Sequence, residues 1–338
     1  MKLHSLLQPL ALACALALGS QVWAQSAKLD PKLPGYVPTQ GVSGAIKSVG
    51  SDTMNNLMAL WTEGFKKLYP SVTVEVEGKG SSTAPPALIS GAANFGPMSR
   101  AMKDKELDDF EKQFGYKPVG VPTALDSLGV FVHKDNPIQG LTIQQLDAIF
   151  SKTRKSGAEK DIVTWGDLGL SGEWADKKVS LYGRNSVSGT YGYFKEHALA
   201  KGDFKDTVKE QPGSAAVVQA VASDRYAIGY SGIGYATADV RVVPLAKDAK
   251  SKFIEASSEN VYNGSYPMSR FLYVYVNYRP GSQLEPIRRE FLSYLLSKEG
   301  QAIVIKDGYF PLTAKMVENA RSLVGLASSK AVEAGAAK

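Results

Sequence analysis

Between Val179 and Ala200 the chain reads VSLYGRNSVSGTYGYFKEHALA. Its residue types suit one task, the holding of an anion. Val179 and Leu181 predict a strand, the run from Gly183 to Thr190 a turn-rich loop, and the aromatic and apolar residues after it a helix ending near Ala200. The first turn of a helix leaves backbone N–H groups unpaired and carries about half a positive charge. Gly189 lets a ligand approach the backbone. Ser186, Ser188 and Thr190 add hydroxyls, and Arg184 adds a planar, permanently charged fork able to take two oxygens of one oxyanion. Capping of the helix would explain one of these hydroxyls, not three with an arginine.

Two further loops repeat this chemistry. Ala45 to Val49 reads as a strand entering Gly50-Ser51-Asp52-Thr53, and Met54, Leu57, Met58, Trp61, Phe65 and Leu68 then follow at helical spacing up to Pro70. Val72, Val74 and Val76 alternate as a strand that enters Gly80-Ser81-Ser82-Thr83, followed by a helix with Pro85 and Pro86 in its first turn. A third strand, Asn94 to Gly96, ends at Pro97-Met98-Ser99-Arg100. Strands alternating with helices predict an α/β fold with parallel-rich sheets flanked by helices, whose ligands sit where these loops gather.

The chain has an internal echo: GSSTAPPALISGAANFG, from Gly80, and GSAAVVQAVASDRYAIG, from Gly213, both read loop, helix, turn, strand. Two halves of like topology follow, one comprising residues 25–124 and 266–326, the other 125–265, with 327–338 as a tail. Val119 to His133 and Phe271 to Asn277 are extended runs that cross between the halves and make a hinge, which suits closure on a ligand.

The N-terminus, MKLHSLLQPLALACALALGSQVWAQ, is a secretory signal with a cleavage site after Ala24. The sole cysteine, Cys14, lies inside it, so the mature chain has no disulfide and no thiol nucleophile. Ala11 to Cys14 faintly resembles a lipoprotein box, but the apolar run continues past it. About 310 residues remain, more than one core usually serves. Losing Lys2 lowers the formal charge from +6 to +5, and the basic residues are dispersed rather than clustered as a nucleic-acid footprint would be.

The motifs SVGSDT, GSSTAPPAL, GPMSR, VHKDNP, GRNSVSGTYGYF, QPGSA, YSGIGY and FLYVYVN, in this order, resemble those of the periplasmic phosphate-binding proteins of bacterial phosphate ABC transporters. The resemblance spans about Gly41 to Leu326. It implies a two-domain, type II-like periplasmic binding fold that closes on one dehydrated phosphate and hands it to membrane permease subunits; with no mature cysteine, two distant mature histidines and no clustered acidic ligands, no metal or cofactor is expected. It carries Arg184, Ser188, Gly189 and Thr190 onto the family's second-domain loop, Ser81 onto a first-domain hydroxyl ligand, and Asp52 with Thr53 onto the first loop. Relatives place an aspartate where this chain has Ser99, followed by Arg100. The carboxylate that accepts the phosphate proton is then Asp52 or Asp126.

The candidate phosphate ligands are therefore Ser51, Asp52, Thr53, Ser81, Ser82, Ser99, Arg100, Asp126, Arg184, Ser186, Ser188, Gly189 and Thr190. Asp52 could instead cap the helix after it. Arg100 is expected to act directly or through Asp52, Asp126 to pair with Arg184 or Arg100, and Arg270 to be structural. His133 and His197 belong to no hydrolase pattern, and Gly229, Gly232 and Gly234 fail the dinucleotide fingerprint. A secreted phosphomonoester hydrolase using Ser81 or Ser188, a binder of another oxyanion such as sulfate, and an adhesive role beside transport are the alternatives. The expected state is a periplasmic monomer.

Overall fold

A computed structural model describes residues 27–326. The signal sequence with Cys14, and the tail beyond residue 326, lie outside the described residues. The first half runs β1 (Gly44–Val49), α1 (Asn55–Leu68), β2 (Val72–Glu77), a 3-10 turn at Ser81–Thr83, α2 (Ala84–Ile89), β3 (Phe95–Met98) and α3 (Asp104–Phe114). The long strand β4 (Val119–His133) leads to β5 (Leu141–Thr142), α4 (Ile143–Phe150), β6 (Ser180–Arg184), α5 (Gly189–His197), β7 (Lys209–Gln211) and α6 (Ser214–Ser223). β8 (Ala227–Gly232), β9 (Val240–Val242), β10 (Leu245–Ala246) and α7 (Ser258–Tyr262) follow, then β11 (Ser269–Val276) returns to α8 (Pro286–Leu295), α9 (Lys298–Lys306) and α10 (Ala314–Leu323).

Strand order in the main sheet is β2-β1-β3-β11-β4-β8-β6-β7, with β9 on β4. The α/β architecture expected from the sequence is present: β1 is parallel to β2 and β3, and β6 to β7 and β8. The crossing strands are antiparallel. β11 pairs with β3 and with Val119–Ser127 of β4, whereas the second part of β4 pairs with β8 and β9. One strand thus belongs to both halves of the sheet. Its residues from Thr123 to Val132 are all buried, so it shows no alternation, and its mostly apolar sequence is interrupted by Thr123, Asp126 and Ser127.

Side-chain spacing accounts for the flanking layer. α1 buries Leu57, Met58, Trp61 and Phe65, one stripe at helical period, and Trp61 Nε1 donates to the Gly300 carbonyl at 2.8 Å, tying α1 to α9. α3 stops at Gly115, whose φ of 78° serves the left-handed cap. In the second half Phe194 of α5 stacks on Tyr230 of β8 with ring centroids 3.9 Å apart, which fixes that helix to the sheet. Among the described residues no helix is long and apolar enough to cross a membrane.

Candidate functional site

The loops after β1, β2, β3 and β6 converge, as their position at strand C-termini requires. Thr53, Ser81, Ser99, Arg184, Ser188 and Thr190 are all buried. Thr53 and Thr190 hydroxyls lie 2.8 Å apart, joining the first half to the second. Ser81 Oγ accepts from the Ser99 N–H at 3.0 Å and lies 3.3 Å from Ser99 Oγ. Gly189 packs against both: a side chain there would collide with Ser81 Oγ and come within 2.6 Å of Ser99 Oγ. The Ser82 N–H donates to the Val187 carbonyl at 3.1 Å, a second bond across the cleft.

Arg184 ends β6 and is 1% exposed. Its backbone N–H donates to the Tyr230 hydroxyl, and its Nη1 donates to Ser214 Oγ at 2.6 Å. Nη2 lies 3.1 Å from Asp52 Oδ2, which also accepts the Ser214 N–H at 2.8 Å. Burial pulls the Arg184 guanidinium down, and the Asp52 charge opposes that. Its Nε–H has no partner, and neither has the buried Ser51 hydroxyl. Unpaired buried donors cost about 1 to 3 kcal/mol each, so both are places where a ligand oxygen would be welcome.

Several expectations need correction. Asp52 does not cap α1; Met54 occupies that position without a side-chain bond, and the carboxylate turns to Arg184 and Ser214. Asp126 pairs with neither Arg184 nor Arg100. The β4–β11 register sets it opposite Arg270, whose Nε donates to Asp126 Oδ2 at 2.8 Å. Arg100 does not act through Asp52, because Glu106 on α3 takes its fork at 2.7 Å on both carboxylate oxygens. It reaches the cleft by donating to Ser82 Oγ at 3.1 Å. Ser186 is exposed on the wall of the neighbouring cleft and is not one of the buried hydroxyls. Ser188 does act as a cap, accepting from Thr190 and Tyr191 N–H groups, while its own hydrogen stays available to donate.

The sequence reading missed Ser214, Tyr235 and Tyr309. Tyr235 donates to the Asp52 and Thr53 carbonyls, and Tyr309 to the Thr53 carbonyl at 2.8 Å, so the first loop is held from both halves. Ser214 had a signal. In the internal echo Gly213-Ser214 occupies the place of Gly80-Ser81 and likewise opens a helix after a strand. A cleft of about 910 Å³ flanks the cluster, with Arg100, Ser188, Tyr191 and Arg270 among its walls. Among the described residues no His, Cys, Asp or Glu grouping could hold a metal ion.

Residues 37–299 match the PBP superfamily domain. The chain is 57% identical over 326 residues to the phosphate-binding protein PstS of Pseudomonas aeruginosa, covering 96% of this chain and all of that one. A Staphylococcus haemolyticus phosphate-binding protein PstS is 29% identical over 77% of this chain and 79% of its own. Among solved structures, a Clostridium perfringens protein described as a phosphate ABC transporter substrate-binding protein, with phosphate bound, superposes with a TM-score of 0.67 at 27% identity, over 80% of this chain and all of that one. The aligned span takes in every loop of the cluster, and the chain belongs to the PBP superfamily and, within it, to the family of the phosphate-binding proteins PstS.

Proposed function

We propose that the protein captures one inorganic phosphate between its two halves in the periplasm and delivers it to the permease of an ABC transporter. The observation that carries this is a buried arginine with one N–H unpaired, set among hydroxyls contributed by both sides of a cleft. Such a cage suits a small, dehydrated tetrahedral oxyanion. The PstS relatives and the phosphate-bound structural neighbour support the choice of ligand. On this reading residues 25–124 with 266–326 close against residues 125–265, and the chain works as a monomer. Of the expected ligands, Ser51, Asp52, Thr53, Ser81, Ser99, Arg184, Ser188, Gly189 and Thr190 form the cage, with Ser82 and Arg100 at its edge.

Hydrolysis of a phosphomonoester needs a base beside the nucleophile. Ser81 bonds to Ser99, Ser188 accepts from backbone N–H groups, and His197 lies exposed, stacked on Tyr193. Calorimetry of the mature, ligand-stripped protein will show one phosphate bound per chain and far weaker binding of sulfate. An aryl phosphate will not turn over. Absence of heat with phosphate refutes the proposal.

A further inference from the structure

Arg270 and Asp126 face each other where β11 and β4 run side by side, and they are 5% and 0% exposed. A buried ion pair is by itself a poor source of stability, because desolvation offsets the attraction. This one has connections that a simple pair would not need. Arg270 Nη1 donates to the Ser99 carbonyl at 2.8 Å, at the end of β3 in the first half. Its Nη2 donates to Thr190 Oγ1 at 3.0 Å, at the start of α5 in the second. Asp126 Oδ1 meanwhile accepts the Ile233 N–H at 3.0 Å, just past β8.

The Thr190 hydroxyl continues the chain to Thr53 at 2.8 Å, Thr53 lies 3.5 Å from Ser214 Oγ, and Ser214 meets Arg184. A string of hydroxyls thus joins the two buried guanidinium groups across the cleft. The bond to Ser99 ties Arg270 to the loop after β3, and the bond to Thr190 ties it to the start of α5, so one side chain holds both sides of the cluster together. A guanidinium fork can make them at once with the bond to Asp126; an ammonium on a flexible stem cannot hold that geometry.

We propose that Arg270, oriented by Asp126, is a positioning residue that latches the closed state and sets how long phosphate stays bound. This rests on the phosphate reading above. Encounter occurs in the open form, where the latch is unmade, so its loss acts on escape and not on capture.

Stopped-flow measurement with inorganic phosphate on the mature protein tests it. Arg270→Lys is expected to associate within threefold of the wild-type rate, to release phosphate at least tenfold faster, and to show less compaction on binding in small-angle scattering. Thr190→Val removes the same link from the other side and leaves Arg270 paired with Asp126; it also takes a hydroxyl from the cage, so the double variant decides between the two effects. The release rate of Thr190→Val should also rise at least tenfold, and the double variant should fall short of the product of the two. A folded Arg270→Lys protein with unchanged release, effects confined to association, or effects of the two substitutions that multiply independently overturn the latch. If Arg270→Lys does not fold, unchanged release from Thr190→Val overturns it alone. Wild-type protein that gives no phosphate signal overturns both the latch and the phosphate reading, whereas wild-type binding with unaltered variants overturns the latch only.

Discussion

Arg184 is the residue on which the proposed phosphate binding is expected to depend most. Its charge is buried and shared with one carboxylate, and truncating one member of a buried charged pair costs about 2 to 5 kcal/mol. Arg184→Ala is expected to weaken phosphate binding at least about thirtyfold by calorimetry. On the proposed reading Asp52 serves selectivity. Phosphate near neutral pH carries an O–H and sulfate carries none, so a carboxylate in the cage accepts from the first and repels the second. Both contacts of Asp52 fall on Oδ2, which leaves Oδ1 for that proton. Both oxygens of Asp126, by contrast, are engaged. Asp52→Asn, able to donate as well as accept, should lose phosphate affinity and gain sulfate binding in competition titrations. Continued rejection of sulfate would remove Asp52 from this role.

Helix α5 illustrates what an element contributes. Its N-terminus begins with Gly189 because the closed arrangement leaves no room for a Cβ against Ser81 and Ser99. Gly189→Ala should leave the open, ligand-free protein at least as heat-stable as wild type, since alanine favours the helix. Overpacking costs about 1 to 3 kcal/mol, so phosphate affinity should fall roughly fivefold to 150-fold. A variant with wild-type affinity would show that the halves need not come so close. The strand β4 is the other element of note, since it pairs with β11 through Ser127 and with β8 from Leu128; on the proposed closure, this switch of partner is where one half would turn against the other.

Across the whole molecule, Asp307 makes stability depend on pH. It lies at the end of α9, accepts from Asn56 of α1, and burial pushes its carboxyl up to about 6. The unfolded chain releases this proton near pH 4. Between about pH 4 and pH 6 the native state therefore holds a proton that the unfolded state has lost. Stability falls as pH rises through that window and levels off above it. Asp307→Asn keeps an acceptor for Asn56 and removes the charge, so it should raise the melting temperature at pH 7 and flatten this contribution. Melting curves at pH 4, 5, 6 and 7 check it; a variant with the wild-type slope would show that other groups set the profile.

The sequence by itself determined the loops that matter, because strand periodicity, the break to helical spacing, and Gly-Ser chemistry between them are local properties of the chain. Arg184, Thr53, Ser81, Ser99 and Thr190 could be named from that pattern, and β4 from its long, mostly apolar extended run. Partnership was another matter. Which arginine meets which carboxylate depends on strand register and on the approach of elements far apart in sequence: Asp126 finds Arg270 across 144 positions, and Asp52 finds Ser214 across 162. No periodicity encodes such pairs. Only the tertiary structure assigned Arg100 to Glu106, turned Ser186 to solvent, and brought Ser214, Tyr235 and Tyr309 to the cluster, because burial and hydrogen-bond partners are settled by packing and not by residue type.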